Sequence, residues 1–378
     1  MKSDFSRQTP DYLQFTPGRP LSLWHRCIAR LLVRFYYSSL RFFTPDGRRL
    51  APLDGETPTL LLASHRNGAT DGWIFNQLLP SAQFLIAVQL LRSRFLRLMF
   101  AGIPVVRDKD RVRYGYSRAQ AGNPILQAIA HLKLGGSVVI FPEGTSEWGA
   151  GPQPYQEGVV KIIRRLMQDQ CRFQVIAAGS FYQAPDRFGS ALELLVSDPL
   201  ALPEQGEDSV AQWETRIMQY LSCSLNRVSV ACRDEPMLEN VERQARSRSR
   251  VDGSYALAFK QAEQQSLQGR APKPTRTETS RASMNILQWL AWKAFIFTLL
   301  PVWLCGWWAG RRADGRNTTT FFRLAGGFAT ALIWLPCLAV IASIYPWLLA
   351  LYGIAAWGWR QRGKFSAMNL EKENESRP

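Results

Sequence analysis

Short apolar runs, separated by segments with helical character, occupy the middle of the chain. The runs end at turn residues or charged side chains, as buried strands do. They cover residues 59–63, 84–88, 102–107, 137–141, 173–178 and 192–196. Helices are predicted between them, for example over residues 124–134 and 158–168. This alternation, from about residue 58 to 200, predicts an α/β fold with a mainly parallel central sheet flanked by helices.

The N-terminal part has a different pattern. Residues 21–43 are rich in apolar and aromatic side chains, and Arg26, Arg30 and Arg34 recur every four residues on one face of a predicted helix. A basic amphipathic helix of this kind lies flat in a membrane interface, or it packs on the domain's own core with a solvated basic face. The sequence leaves both alternatives open.

The C-terminal part is strongly apolar. Residues 294–310 and 324–359 contain no charged side chain, and tryptophans cluster near the ends of both runs. This pattern predicts hydrophobic membrane helices, with a break around residues 343–346 in the second run. A buried soluble bundle is the alternative. Because arginines flank every run, the topology stays open, and shallow or re-entrant segments are as compatible as simple crossings.

These patterns divide the chain into five predicted parts. An amphipathic, membrane-associating segment is followed by the α/β domain, a polar connector, a group of hydrophobic helices and a polar tail. Their predicted ranges are, in that order, residues 1–54, 55–232, 233–282, 283–365 and 366–378.

The charge and the metal-binding residue types restrict the partners. A net charge of +16 favours an anionic partner, which is nucleic acid, an acidic membrane surface or a phosphorylated substrate. Much of this charge flanks the apolar runs and no nucleic-acid recognition motif is visible, so we expect no nucleic-acid binding. The six cysteines show no CxxC pair and the three histidines are dispersed, so no metal site is predicted.

Three polar stretches follow predicted strands. His65 lies two residues after the strand 59–63, and Asp71 follows it, an arrangement suited to a general base with its orienting carboxylate or simply to a polar loop and helix cap. Arg107 ends another strand, where its planar fork suits an anionic group. The sequence Phe-Pro-Glu-Gly-Thr at residues 141–145 places a carboxylate, hydroxyl groups and backbone N–H groups where open α/β folds bind ligands.

Taken together and in this order, the three stretches resemble the sequence blocks of the glycerolipid acyltransferase family, the glycerol-3-phosphate and 1-acylglycerol-3-phosphate acyltransferases. The resemblance covers about residues 55–200. It departs from the family pattern at two places. Five residues instead of four separate His65 from Asp71, with Thr70 at the usual aspartate position. The fourth block, usually a strand that ends in proline, ends here in Gly179.

The resemblance implies a membrane-bound O-acyltransferase of phospholipid synthesis. The acyl group would move from an acyl thioester, acyl-CoA or acyl carrier protein, to a hydroxyl of glycerol 3-phosphate or lysophosphatidate, without a cofactor. His65 and Asp71 would be the catalytic pair. Arg107 would bind the acceptor phosphate, and Glu143, Gly144 and Thr145 would complete the substrate site.

The resemblance also implies membrane lipids as partners. The first twenty residues are polar and contain proline, which is not typical of a signal peptide, so we expect a membrane protein whose catalytic domain faces the cytoplasm. Two alternatives remain. The acceptor is another lysolipid, or the chain is a non-catalytic membrane lipid-binding protein with the same fold, which would be favoured if Asp71 failed to reach His65.

Overall fold

The computed structural model describes residues 9–269 and 283–376. The first half of the chain alternates between helices and strands. These elements are α1 (Leu23–Tyr36), β1 (Ser39–Phe43), β2 (Arg49–Leu50), β3 (Thr59–Ala63), α2 (Gly68–Leu78), β4 (Gln83–Ala87), α3 (Val88–Arg92), β5 (Ile103–Val105), α4 (Asp108–Tyr114), α5 (Arg118–Ala121), α6 (Pro124–Lys133), β6 (Val138–Ile140), α7 (Gly158–Gln168), β7 (Gln174–Tyr182) and β8 (Ala191–Val196).

The remainder of the described chain is helical. Its elements are α8 (Val210–Val228), α9 (Glu235–Asp252), α10 (Tyr255–Leu267), α11 (Ile286–Thr298), α12 (Leu300–Gly310), α13 (Arg316–Ile344), α14 (Leu348–Arg360) and α15 (Arg362–Ser376).

The strands form one mixed sheet in the order β2-β1-β8-β7-β3-β6-β4-β5. Neighbours from β7 to β5 run parallel, but β8 is antiparallel to β7, and β2 is antiparallel to β1. The prediction of a mainly parallel sheet is corrected accordingly. The reason is the connection: only residues 183–190 join β7 to β8, and a parallel crossover needs about a dozen residues or more.

The core lies on both faces of this sheet, and β3 shows how the sequence places it. Side chains alternate between the two faces of a strand. Leu61 accordingly packs with α1 and α2 on one face, whereas Leu60 and Leu62 pack with α6, α7 and α8 on the other. Because both faces are covered, all of β3 is buried and reads as a continuous apolar run.

The N-terminal segment contributes to this core. The helix predicted over residues 21–43 ends at Tyr36, and residues 39–43 form β1 beside β8. One face of α1, including Ile28 and Leu32, is buried against the core. Its outer face combines exposed apolar and basic residues, namely Leu23, Trp24, Arg30, Leu31 and Arg34. Contact of that face with a membrane stays a prediction.

The range predicted to be a polar connector, residues 233–282, also contains packed structure. Helices α9 and α10 lie against the sheet, where Phe259 contacts the Phe181 ring of β7 at 5.3 Å between centroids. Residues 270–282 of this range lie outside the described residues. The exact domain boundaries stay predictions.

Gly179 lies inside β7, where the resemblance suggested a strand ending in proline. A Cβ atom at this position would lie 2.0 Å from the carbonyl oxygen of Val228, at the end of α8. Because that neighbour is backbone and not a movable side chain, the close packing of α8 on β7 requires glycine here.

The C-terminal helices leave large apolar surfaces uncovered. Helix α13 is 29 residues long with a mean hydropathy of 2.1 over its most apolar stretch, and only 17% of that stretch is buried. It is therefore long and apolar enough to cross a membrane. Helices α11 and α12 are long and apolar enough to cross a membrane only when they are taken together, and they are bent by 74° at their junction. The break between α13 and α14 coincides with the one predicted around residues 343–346.

The last helix returns to the α/β part. Arg362, at the start of α15, is buried and donates hydrogen bonds to the carbonyl oxygens of Arg34 and Tyr37 at 2.9 and 3.0 Å. Its guanidinium carbon also lies 4.0 Å from the ring centroid of Trp359. These contacts fix the C-terminal helices to the end of α1.

Candidate active site

His65 lies at the carboxyl end of β3, in the loop that leads into α2. Its backbone N–H donates to Glu143 Oε1 at 2.8 Å, and its imidazole stacks on the Phe141 ring with 4.2 Å between centroids. The side chain is 17% exposed, so it is held on one face and open on another. This combination fixes the position of the imidazole while leaving it accessible to a substrate.

Asp71 lies in the first turn of α2 and reaches the histidine. Its Oδ2 lies 3.1 Å from His65 Nδ1 and accepts the Asn67 N–H at 2.7 Å. The aspartate side chain is fully buried, whereas the histidine is not. A carboxylate at Nδ1 holds the proton on that nitrogen and leaves Nε2 as the hydrogen-bond acceptor. Nε2 is the nitrogen from which a general base would act.

The longer spacing between His65 and Asp71 is accommodated by Gly68, which starts α2 with a φ of +52°. This left-handed conformation disfavours residues with a Cβ. A Cβ would also lie 2.8 Å from the backbone oxygen of Asn317 in α13. The left-handed conformation of Gly68 orients the first turn of α2 so that Asp71, and not Thr70, faces the imidazole.

Glu143 joins the two loops of the site. One carboxylate oxygen accepts the His65 N–H, and the other accepts the Gln153 N–H at 3.0 Å. Burial raises the pKa of Glu143, while these two N–H donors oppose the shift. Glu143 therefore connects the backbone at His65 to the backbone at Gln153. Its contact with an acyl acceptor stays a prediction.

Gly144 and Thr145 form the outer part of the same turn. Gly144 has a φ of +67°, and its N–H donates to the Phe141 carbonyl oxygen at 3.0 Å. Because this N–H already donates within the turn, it is not available to a ligand at this site. Thr145 is exposed.

Arg107, like His65, lies at the carboxyl ends of the parallel strands, but the two residues follow different strands. It follows β5, which lies three strands from β3 and so at about 14 Å from it, given a strand spacing of about 4.8 Å. Its guanidinium binds Asp110 with both Nε and Nη2, at 2.7 and 3.3 Å. The structure thus groups His65, Asp71 and the 141–145 turn closely and places Arg107 farther along the edge.

Three residues of the hydrogen-bond network around Asp71 were not predicted from the sequence. Tyr182, the last residue of β7, donates its hydroxyl to Asp71 Oδ1, and Asn67 Nδ2 donates to the Tyr37 hydroxyl at 3.2 Å. Burial, and then the charge of Asp71, raises the pKa of Tyr182 well above its ordinary value, so the phenol keeps its proton as a donor. The predicted strand 173–178 is followed shortly by the aromatic residues Phe181 and Tyr182. This pair was the sequence signal that could have extended the strand to Tyr182.

The start of α13 lies directly over these loops. Asn317 Nδ2 donates to the carbonyl oxygen and the hydroxyl of Ser146, at 2.7 and 3.1 Å. The guanidinium carbons of Arg66 and Arg316 lie 4.1 and 4.9 Å from the Trp148 ring centroid. The long apolar helix therefore begins at the rim of the candidate site.

No family model matches this chain, and no curated protein matches it. Among solved structures, the chain is similar to the 1-acyl-sn-glycerophosphate (LPA) acyltransferase PlsC from Thermotoga maritima, with 15% sequence identity and a TM-score of 0.36. The match covers 53% of this chain and 78% of that protein. At this level of similarity the match carries no argument about function, which rests on the geometry of the site.

Proposed function

We propose that this protein is a membrane-attached O-acyltransferase that moves a fatty acyl group from an acyl thioester to a hydroxyl of a glycerol phosphate. The observation that carries the proposal is the contact of His65 Nδ1 with the buried carboxylate of Asp71, at the carboxyl end of a parallel strand. This is the arrangement of a general base with an orienting carboxylate.

In the proposed reaction, His65 Nε2 takes the proton from the acceptor hydroxyl as its oxygen attacks the thioester carbonyl. The tetrahedral intermediate then collapses, the carbon–sulfur bond breaks, and the proton on Nε2 passes to the leaving thiolate. Asp71 stabilises the positive imidazolium that exists between these two proton transfers. The ester and the free thiol are the products, so no cofactor is needed to balance the reaction.

The surroundings of the pair support an acceptor that carries an anion. Arg107 lies on the same sheet edge with a partly exposed guanidinium, and a phosphate would compete with Asp110 for its fork. The exposed apolar face of α13 begins at the rim and supports an acyl chain supplied from a bilayer. A cytoplasmic orientation stays a prediction.

A non-catalytic lipid-binding protein would be favoured by a histidine out of reach of Asp71, and the 3.1 Å contact argues against that alternative. The decisive experiment measures release of free thiol from acyl-CoA or acyl carrier protein by the full chain in phospholipid nanodiscs. Glycerol 3-phosphate, lysophosphatidate and neutral lysolipids are offered in separate reactions. Thiol release that no acceptor stimulates would contradict the proposal, and the stimulating acceptor would identify the substrate.

Replacing Arg107 by alanine should raise the Michaelis constant for a phosphorylated acceptor about tenfold or more, because a charge-assisted hydrogen bond contributes about 1.5–3 kcal/mol. The constant for the acyl donor should change far less. Arg113→Ala is the control, since Arg113 is an exposed arginine near the end of α4, the helix that begins directly after Arg107. An unchanged acceptor constant would remove the phosphate role from Arg107. Thermal unfolding checks that loss of its partner does not unfold the region around Asp110.

A further inference from the structure

Both ends of the apolar pair α13–α14 are attached to one loop of the α/β part, residues 183–190. Near the start of α13, Thr320 donates its hydroxyl to the Pro185 carbonyl oxygen at 2.7 Å. Just after α14, the Arg362 backbone lies against Gly189, where a Cβ would be 2.4 Å from the Arg362 carbonyl oxygen. The chain therefore leaves the α/β part with α13 and comes back to the same loop after α14.

The two helices form a hairpin. The Tyr352 hydroxyl of α14 donates to the Leu338 carbonyl oxygen of α13 at 3.2 Å, and the chain breaks between the helices at residues 345–347. The exposed apolar part of α13 runs from Leu332 to Ile344. At a rise of 1.5 Å per residue this part is about 20 Å long, whereas a hydrocarbon core is about 30 Å thick. The exposed part is therefore too short to reach the far headgroups of a bilayer.

Helices α11 and α12 form a second hairpin beside the first. Their bend lies against α13, where the Trp334 indole donates to the Thr298 carbonyl oxygen at 2.8 Å. Both helices also contact Phe188 of the 183–190 loop. The ring centroids of Phe295 in α11 and Trp303 in α12 lie 6.0 and 4.5 Å from the Phe188 centroid. Because each helix contacts the α/β part, this pair also leaves and returns on one side.

The basic residues of these helices lie where the chain joins the α/β part. Residues 294–310 and 324–359 contain no charge, so the bend of the second hairpin and the break of the first are uncharged. Basic side chains lie instead at the junction of α12 with α13 and at the end of α14, namely Arg311, Arg312, Arg316, Arg360, Arg362 and Lys364. Clusters of Lys and Arg resist transfer across a membrane, which favours both flanks on the same side.

Helix α1 marks the level at which the hairpins begin. Its exposed residues form one stripe of apolar, aromatic and basic side chains, namely Leu23, Trp24, Arg30, Leu31 and Arg34. Leu31 lines the same apolar chamber as Leu335 of α13, and both are more than half exposed. The stripe therefore continues into the exposed face of α13. Its composition suits the boundary between headgroups and hydrocarbon.

We propose that α11–α12 and α13–α14 are re-entrant hairpins. They enter the hydrocarbon core of a bilayer from the side of the α/β part and leave it on that same side, with α1 flat among the headgroups. Lipid hydrocarbon covers the exposed apolar faces, and no helix crosses the membrane. This topology rests on the membrane attachment in the proposed function and is independent of acyl transfer.

The test labels single cysteines in the full chain, bound to sealed phospholipid vesicles. In the background chain serine replaces the four exposed cysteines, Cys27, Cys223, Cys305 and Cys337, and this chain without an added cysteine corrects for labelling elsewhere. Cysteine is then introduced at exposed positions by Ser343→Cys next to the break, by Asp314→Cys and Lys364→Cys at the two flanks, and by Glu207→Cys in the α/β part. The reagent is a charged maleimide that does not cross the bilayer.

The cysteines at positions 207, 314 and 364 should react from the same side and to the same extent. The cysteine at position 343 should react at least about tenfold more slowly, before and after the vesicles are opened, because a charged reagent is excluded from hydrocarbon. A nitroxide attached there should be more accessible to dissolved oxygen than to a water-soluble nickel complex, whereas a nitroxide at position 207 should show the reverse order.

Three results would overturn the topology. Rapid reaction at position 343 from the side opposite to position 207 would show that α13 and α14 cross. Reaction at positions 314 and 364 from opposite sides would exclude a hairpin. A nitroxide at position 343 that is shielded from oxygen as well would show that a second copy of the chain, and not lipid, covers the apolar faces. Failure to float with the vesicles would contradict membrane attachment itself, whereas absence of acyl transfer with the expected labelling would leave the topology standing.

A matched pair of substitutions tests the depth of the break. Trp347→Arg places a charge inside the hydrocarbon and should weaken vesicle binding about a hundredfold, measured by flotation at limiting lipid. Trp308→Arg also replaces an exposed tryptophan, but it lies close to Arg311 and Arg312 and should weaken binding far less. Equal binding of the two variants, with unchanged thermal unfolding, would place the break in headgroups and contradict the re-entrant hairpin.

Discussion

Replacing His65 by alanine is expected to lower the rate of acyl transfer by about three orders of magnitude or more. General-base catalysis by a positioned side chain contributes roughly 10²–10⁴-fold, and the alanine variant has no group that takes the acceptor proton at that position. The measurement is thiol release from acyl-CoA at saturating acceptor. Because the imidazole is partly exposed and its backbone N–H contact with Glu143 is retained, the fold should persist.

The control for this variant is His25→Ala. His25 lies in α1, where its ring nitrogens contact Ser22 and the Arg97 carbonyl oxygen, and it has no contact with the candidate site. This variant should keep most of the activity. Both proteins should remain with the membrane fraction at equal levels. Activity of the His65 variant close to that of the unaltered chain would show that another group removes the proton.

Replacing Asp71 by asparagine should lower the rate by about 10³–10⁴-fold, because an amide that donates to Nδ1 stabilises the wrong imidazole tautomer. The substitution also disturbs three donors, since Asp71 accepts from His65, the Asn67 N–H and the Tyr182 hydroxyl. One of them will then face the amide NH₂ group. We therefore expect a lower unfolding temperature as well, measured by thermal unfolding in nanodiscs.

Tyr182→Phe separates the two effects of the Asp71 substitution. It removes one hydrogen bond to the carboxylate but leaves the charge and the His65 contact in place, so the rate should fall much less than with asparagine at position 71. Equal rates for Asp71→Asn and the unaltered chain would contradict the catalytic pair. Equal losses in Tyr182→Phe and Asp71→Asn would show that the position of the carboxylate, and not its charge, limits the reaction.

The local parts of the fold and site were predictable from the sequence. Wholly apolar runs such as residues 59–63 identify buried strands because both faces of those strands are covered. The direction of β8 was not predictable, because the strand before it was predicted to end at residue 178 and the link to β8 therefore seemed long enough for a parallel crossover. With its end at Tyr182 the following link is too short for a parallel crossover, and an antiparallel pair results.

The same distinction holds at the candidate site. His65 and Asp71 are neighbours along the chain, so their contact follows from the loop and the first turn of α2. Tyr182 reaches Asp71 across 111 residues, and Asn317 reaches Ser146 across 171. Such contacts depend on strand order and helix docking, which local periodicity does not encode.

The attachment of α13 to the loops of the candidate site has a practical consequence for protein production. Removing the apolar helices to obtain a water-soluble protein would also remove Asn317, which donates to Ser146, and would expose the Gly68 turn that the Asn317 backbone covers. The same cut would take away Arg316 from the Trp148 ring. A shortened protein that ends before residue 316 would therefore lose one wall of the candidate site, so the proposed activity should be tested on the full chain in detergent or nanodiscs.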